Sequence, residues 1–122
     1  MRIVNLAFTT STAGAATVTG ESVQGFLYAV VWNKGTCDNG VDCTLSSVNS
    51  AGAATLLTLT DANASAIYYP RHLVHSEAGA ALTGTAGGDR AMPLASGNLK
   101  IVIAQGGSAK AGSVTCYIAE KV

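Results

Sequence analysis

Apolar residues recur with a two-residue period along most of the chain, and this alternation constrains the fold more than any other feature. Residues 2–9 alternate, with Val4, Leu6 and Phe8 on one face, and residues 113–119 alternate in the same way. Such a pattern is typical of β-strands with one buried face. No segment shows a convincing 3.6-residue period, and the Ala-rich pieces are too short and too often interrupted by Gly to form a stable helix. The pattern predicts an all-β chain.

Further strands are predicted wherever the alternation is bounded by turn residues. They cover residues 15–19, 26–32, 41–48, 55–60, 67–69 and 98–104. A turn is predicted at residues 21–25, and hairpin connections are predicted at Asn39-Gly40 and at the Gly-rich segment 105–112. Seven or eight short strands at nearly regular spacing indicate a single-domain antiparallel β-sandwich, jelly-roll-like, over residues 1–122.

The strongest predicted strand, Phe26–Trp32, is apolar on both of its faces. Simple alternation places Phe26, Tyr28, Val30 and Trp32 on one face and Leu27, Ala29 and Val31 on the other. A strand that is apolar on both faces is covered on both sides. In a small sandwich the core covers one side, so another element or another subunit is expected on the other.

Charged residues are few and balanced in this chain. They make up 11% of it, and seven basic residues cancel seven acidic ones. The basic residues are scattered, whereas nucleic-acid binding needs clustered Lys and Arg. Because a small monomer normally keeps some net charge, a neutral surface favours a subunit that is covered by partners. The longest apolar run, Phe26–Trp32, is far shorter than the ~20 residues of a membrane span. Three cysteines, an odd number, favour a protein made in a reducing cytosol.

One stretch, Pro70–Pro93, has almost no strand or helix signal, and one long loop of about residues 70–97 is predicted. Long loops without secondary structure are uncommon in compact domains and are usually functional or disordered. This loop contains apolar side chains that favour burial, so we expect it to be an arm that packs against a partner. The candidate partner-contact residues are Pro70, Arg71, His72, Leu73, Val74, His75, Leu82, Arg90 and Met92.

No catalytic, cofactor or metal site can be assembled from the sequence, and an enzyme is not expected. His72 and His75 have a His-x-x-His spacing, but a complete set of zinc ligands is not visible. A Gly-x-Ser-x-Gly motif is absent from the sequence, and no two carboxylates stand out as a general acid and base. Cys37 and Cys43 flank the predicted Asn39-Gly40 turn, and the register of that hairpin decides whether they can pair.

Several segments resemble small virion proteins of tailed bacteriophages. They are Gly25-Phe-Leu-Tyr-Ala-Val-Val-Trp32, Leu56-Leu-Thr-Leu-Thr60, Tyr69-Pro-Arg71, Met92-Pro-Leu94 and Gly97-Asn-Leu-Lys-Ile-Val-Ile-Ala104. The resemblance covers roughly residues 20–119, and its motifs are structural and not catalytic. It is to proteins encoded in phage structural modules, some of which act as capsid cement, or decoration, proteins.

The resemblance implies a non-enzymatic β-sandwich subunit, a homotrimer, that sits on the outer surface of an icosahedral head. There it would bind the major capsid protein and bridge neighbouring copies, after synthesis in the host cytoplasm. A tail or fibre-associated module that binds a receptor glycan is the alternative. It would need Tyr68, Tyr69 or Trp32 at the surface, as part of an aromatic platform for sugars. The sequence leaves both locations open and points to neither nucleic acid nor a membrane as a partner.

Overall fold

In the computed structural model, residues 1–73 and 90–120 are described, and this part of the chain is all-β without a helix. Its strands are β1 (Arg2–Thr9), β2 (Ala16–Asn33), β3 (Asp42–Asn49), β4 (Gly52–Leu59), β5 (Ala66–Tyr68), β6 (His72–Leu73), β7 (Arg90–Ala91), β8 (Leu94–Ala104) and β9 (Ala111–Ala119). Within those ranges nothing forms a helix that is long and apolar enough to cross a membrane. The all-β class predicted from the alternation is confirmed.

Seven strands form one antiparallel sheet in the order β1-β9-β2-β8-β3-β4, and β5 also pairs with β2. Strand β2 joins two parts of this sheet, because residues 16–26 pair with β8 whereas residues 26–33 pair with β9. A single core cluster contains side chains from β1 and from β4, which lie at opposite ends of the strand order. The sheet is therefore folded over on itself around one core. This arrangement is compatible with a jelly-roll-like sandwich.

The turn predicted at residues 21–25 is wrong, because β2 runs through it as one 18-residue strand. Val23 and Gly25 are buried while Ser22 and Gln24 are exposed, so the two-residue alternation continues across the segment. A bulge in β2 between Thr19 and Ser22 shifts its register against β8. The segment is polar because half of its residues face outward, and not because the chain reverses there.

The inward faces of β1, β8 and β9 follow the predicted alternation. Their almost fully buried residues are Val4, Leu6, Phe8, Leu99, Ile101, Ile103, Val114, Cys116 and Ile118. Trp32 of β2 lies among them without exposed surface and stacks on Phe8, with 5.9 Å between the ring centroids. Its Nε1–H donates a hydrogen bond of 3.1 Å to the Ala62 carbonyl, so the indole leaves no unpaired polar group in the core.

The hairpins predicted at Asn39-Gly40 and at residues 105–112 are wrong. In the sheet, β8 separates β2 from β3, and β2 separates β8 from β9. Each connection therefore crosses over a neighbouring strand. The two connections meet at one end of the sheet, where the Asp38 N–H donates to the Gly106 carbonyl at 3.0 Å. Turn residues marked these reversals correctly, but they do not encode the strand to which the chain returns.

All three cysteines are buried and free. Cys37 lies in the crossover between β2 and β3, and Cys43 in β3 lies opposite residues of β4 and β8, so no hairpin register brings these two together. Burial raises the pKa of Cys43 to about 12, and burial together with the nearby Cys43 raises the pKa of Cys116 to about 12. Thiols that stay protonated are poor nucleophiles, so Cys43 and Cys116 act as small core residues.

Candidate functional site

A second bulge in β2 decides which of its side chains face outward. Leu27 and Ala29 lie opposite consecutive residues of β9, so Tyr28 is an extra residue in β2. Leu27 before the bulge and Val30 and Trp32 after it are all buried. The prediction that Tyr28 shares a face with Val30 and Trp32 is wrong, because the extra residue reverses the alternation. Tyr28 and Ala29 consequently both lie on the outer side of the sheet.

Outward side chains on the adjacent strands β1, β9, β2 and β5 form a continuous apolar surface. Ile3 lies opposite Tyr117, and Tyr117 lies opposite Ala29. Two residues after Ala29 in β2, Val31 lies opposite Ile67 of β5. We call this surface the outer apolar face, and its members are Met1, Ile3, Phe26, Tyr28, Ala29, Val31, Ile67, Tyr69, Leu94 and Tyr117.

The outer apolar face holds most of the large apolar surface that residues 1–73 and 90–120 expose. Residues 1–73 and 90–120 expose eight large hydrophobic side chains, and all of them except Val102 belong to this face. Ile67 and Tyr69 are each 57% exposed, and Phe26 and Leu94, opposite each other, extend the face toward β8. At ~200 Å² for a large side chain, the seven together expose roughly 750 Å². The largest apolar patch on a typical monomer is about 300–600 Å², so this surface indicates a contact site.

A depression of about 180 Å³ lies within the outer apolar face. The small side chain of Ala29, only 4% exposed, forms its floor between larger neighbours. The lining consists of Met1, Tyr28, Ala29, Val31, Ile67, Tyr69 and Tyr117. Because an apolar cavity of about 150 Å³ admits a benzene molecule, this depression can receive one aliphatic or aromatic group.

Arg71 borders the face beside Tyr28. Its guanidinium lies 5.6 Å from the centroid of the Tyr28 ring, and its Nη1 donates to the carbonyl oxygens of Tyr28 at 3.1 Å and of Pro70 at 2.6 Å. Tyr28 in turn meets Tyr69 edge to face, with 6.0 Å between ring centroids and 82° between ring planes. These contacts fix the exposed aromatic rings and connect the face to the first residues of the predicted arm.

Near its two ends the predicted arm pairs with itself, in a short antiparallel ladder between β6 and β7. His72 Nε2 lies 3.0 Å from the Leu56 carbonyl of β4, and Arg90 Nη1 donates to the Arg71 carbonyl at 3.4 Å. Strand β8 begins at Leu94, so the irregular stretch ends before the predicted residue 97. The base of the arm is thus held against the main sheet by specific hydrogen bonds.

The nine residues predicted to contact a partner differ in what they can offer. In the described chain Pro70 is buried, Arg71 and Met92 are half-buried, and His72 and Arg90 are exposed. The backbone of Leu73 pairs in β6. Val74, His75 and Leu82 lie outside the described residues. The structure therefore brings Arg71, His72 and Arg90 together at the base of the arm.

A metal-ligand cluster and a second depression are the other kinds of site to consider in the described ranges. Between residues 1 and 73 and between 90 and 120, no three His, Cys, Asp or Glu side chains come close enough to hold a metal ion. A wider depression of about 490 Å³ lies along the connection between β4 and β5, and Asp61 is its one carboxylate in this part of the chain. It pairs no nucleophile with a base, so the outer apolar face is the stronger candidate.

No protein-family model, curated protein or solved structure matches this chain. The outer apolar face is therefore the feature from which a function is inferred. The sequence indicated that Phe26–Trp32 needs cover on both sides, but it did not identify Ile3, Ile67 or Leu94 as part of one surface. Part of this surface could have been recognised from the sequence, because Ile3 is a large apolar residue at an outward position beside the inward Val4.

Proposed function

We propose that this protein is a non-enzymatic capsid cement protein that binds the outside of a bacteriophage head and stabilises contacts between major capsid proteins. The outer apolar face carries the proposal, because a neutral chain with so much exposed apolar surface is suited to a lasting assembly. The resemblance of segments such as 25–32 and 97–104 to small virion proteins supports a phage particle as that assembly. The proposal includes synthesis in the host cytoplasm and a final location on the head surface.

Cement action requires buried area and repetition, and it requires no bond chemistry. Each subunit that binds at a joint between capsid proteins contributes about 25 cal/mol per Å² of buried apolar surface, before the costs of association. Symmetric repetition over the head then multiplies weak contacts. The arm between β6 and β7 is the element that we propose for capsid contact. Its base is fixed by the bonds from Arg71 to Tyr28 and from His72 to Leu56.

Rebinding to purified heads that lack this protein tests the proposal. The wild type is expected to saturate the heads and to raise the temperature at which they rupture. Arg90→Glu, at the exposed base of the arm, is expected to weaken binding on the order of 10-fold. Lys100→Glu, on β8 and beyond Leu94, makes the same change of charge and is expected to bind like the wild type. A protein that neither binds heads nor occurs in virions would overturn the proposal.

A second candidate function, a tail or fibre-associated module that binds a receptor glycan, is favoured by one observation. Tyr69 is 57% and Tyr28 is 43% exposed beside the depression, and their rings offer an apolar platform. Trp32 has no exposed surface and Tyr68 is half-buried, so neither supplies that platform. A glycan array probes this candidate. Binding that Tyr69→Ala abolishes and Tyr68→Phe preserves would support it, and an array without any bound glycan would eliminate it.

A further inference from the structure

We propose that the outer apolar face binds the same face of a second copy of this chain, so that the protein forms a two-fold symmetric pair. The inference deepens the proposed function. It rests on that proposal only for the premise that the chain is a subunit of an assembly. It assigns the face to another copy, and it leaves the arm to the capsid protein. A two-fold pair also differs from the three-fold ring that the resemblance implies.

The area of the face matches what a stable pair needs. Its seven large side chains expose roughly 750 Å² at ~200 Å² for a whole side chain. A standard protein–protein interface buries about 800 Å² on each partner. A ring of copies needs two different, complementary patches on every subunit. Among the described residues Val102 is the one large exposed hydrophobic outside the face, and it lies between Thr17 and Thr44 of the neighbouring strands. One apolar patch favours contact of the face with itself.

The shape of the face is suited to self-pairing. Ile67 and Tyr69 project from it, each 57% exposed, beside the depression of about 180 Å³ over Ala29. A two-fold axis can place a projection of one copy over the depression of the other, and symmetry then forms the reverse contact at the same time. Each copy would fill the depression of its partner, so the pair would leave little apolar surface in water.

Charge does not oppose the pairing. The chain has no net charge, so two copies do not repel each other at long range. At the edge near β1, Arg2 is paired within the chain, with Nη2 at 2.6 Å from Glu21 Oε2. Arg71 lies at the rim, where its guanidinium already contacts the Tyr28 ring and two carbonyl oxygens. The side chains of the face are all apolar or tyrosine, and the α-ammonium group of Met1 is the one charge that its members carry.

Sedimentation equilibrium of the full chain, over a range of micromolar concentrations and without heads, tests the pair. The wild type is expected to sediment at twice the mass of one chain. Ile67→Lys places an ammonium group in the contact and is expected to raise the dissociation constant on the order of 30-fold or more. Ala29→Leu fills the depression while it keeps the surface apolar, so it separates shape from area and is also expected to weaken the pair.

Val102→Lys is the matched control, because it makes a similar change at an exposed strand position outside the face. It is expected to keep the dissociation constant of the wild type. Trp32 fluorescence reports whether each variant is folded, and Tyr69→Ser replaces Ile67→Lys if that variant loses the native spectrum. A monomer at all concentrations, a trimer, or a pair that Ile67→Lys leaves unchanged would overturn the proposal. Head binding is measured separately, so its failure would leave the evidence for the pair intact.

Discussion

At the residue scale, the hydroxyl of Thr10 joins the chain just after β1 to the connection between β8 and β9. Thr10 is 4% exposed, and its Oγ1 donates to the Gly107 carbonyl at 2.6 Å and accepts from the Lys110 N–H at 2.8 Å. Thr10→Val keeps the shape but leaves both backbone groups unpaired, so we expect the free energy of unfolding to fall by ~1–3 kcal/mol. Thr9→Val, at the exposed neighbouring position, is expected to change it by less than ~0.5 kcal/mol. Urea unfolding measures both, and equal losses would contradict the assignment.

The buried thiols make stability sensitive to alkaline pH. Burial raises the pKa of Cys43 from 9.0 to about 12, and burial with the nearby Cys43 raises the pKa of Cys116 equally far. Above pH 9 the unfolded chain loses these protons while the folded chain keeps them. The thiol contribution to stability is therefore complete below pH 9 and is lost as the pH rises toward 12. Each thiol contributes a slope of ~1.4 kcal/mol per pH unit in that window.

The double variant Cys43→Ala, Cys116→Ala isolates this effect. We expect a lower free energy of unfolding at pH 7, because two buried sulfur atoms are removed from the core. Between pH 9 and pH 11, where the wild type loses stability, the variant is expected to lose clearly less. Denaturant unfolding at a series of pH values gives both slopes. Parallel slopes would show that other groups cause the alkaline loss.

At the element scale, the extra residue Tyr28 determines the faces of β2. Deletion of Tyr28 removes the bulge, so the following residues must shift their register against β9 or turn Trp32 outward. We expect the free energy of unfolding to fall by more than ~3 kcal/mol. Tyr28→Ala keeps the extra residue and is expected to cost only about 1 kcal/mol, for lost aromatic contact. Similar stabilities of the two variants would show that the bulge has no such role.

Gly97 allows β8 to pass close to β3. Its φ is +110°, and a Cβ there would collide with the Val48 carbonyl oxygen and lie 2.9 Å from Asn49 Cβ. Gly97→Ala is expected to lower the free energy of unfolding by ~2–4 kcal/mol. Gly52, the first residue of β4, has a φ of +124°, and a Cβ there would have no atom within 4 Å. Gly52→Ala is therefore expected to cost only the backbone strain, ~1–2 kcal/mol, and thermal unfolding of both variants measures the difference.

At the scale of the whole molecule, apolar surface should dominate the proposed pair. Raising the salt concentration from about 0.05 M to about 1 M shortens the screening length severalfold, yet the dissociation constant is expected to stay within about 3-fold or to decrease. Pairing is also expected to have a negative heat-capacity change. Dilution calorimetry at several temperatures and salt concentrations measures both. A pair that weakens steeply with salt would instead be held by charged groups.

Prediction from the sequence succeeded where the deciding interaction is local. The strand expected over residues 2–9 is β1, and the inward residues of β8 and β9 follow the expected period. It failed at residues 21–25 and at Asn39-Gly40, because polar and turn residues do not show whether a strand continues or which strand comes next. Of the outer apolar face, the sequence predicted only that Phe26–Trp32 must be covered on both sides.

The sequence alone determined that the chain is all-β and which side of most strands faces the core, because the two-residue period and the burial of apolar side chains are properties of single strands. The tertiary structure alone decided that β2 spans two parts of the sheet and that Tyr28 is an extra residue. It also decided that Ile3, Ile67 and Leu94 share one surface. These features depend on pairings between residues far apart in the chain, such as Ile3 with Tyr117 and Phe26 with Leu94, and no local pattern encodes such pairings.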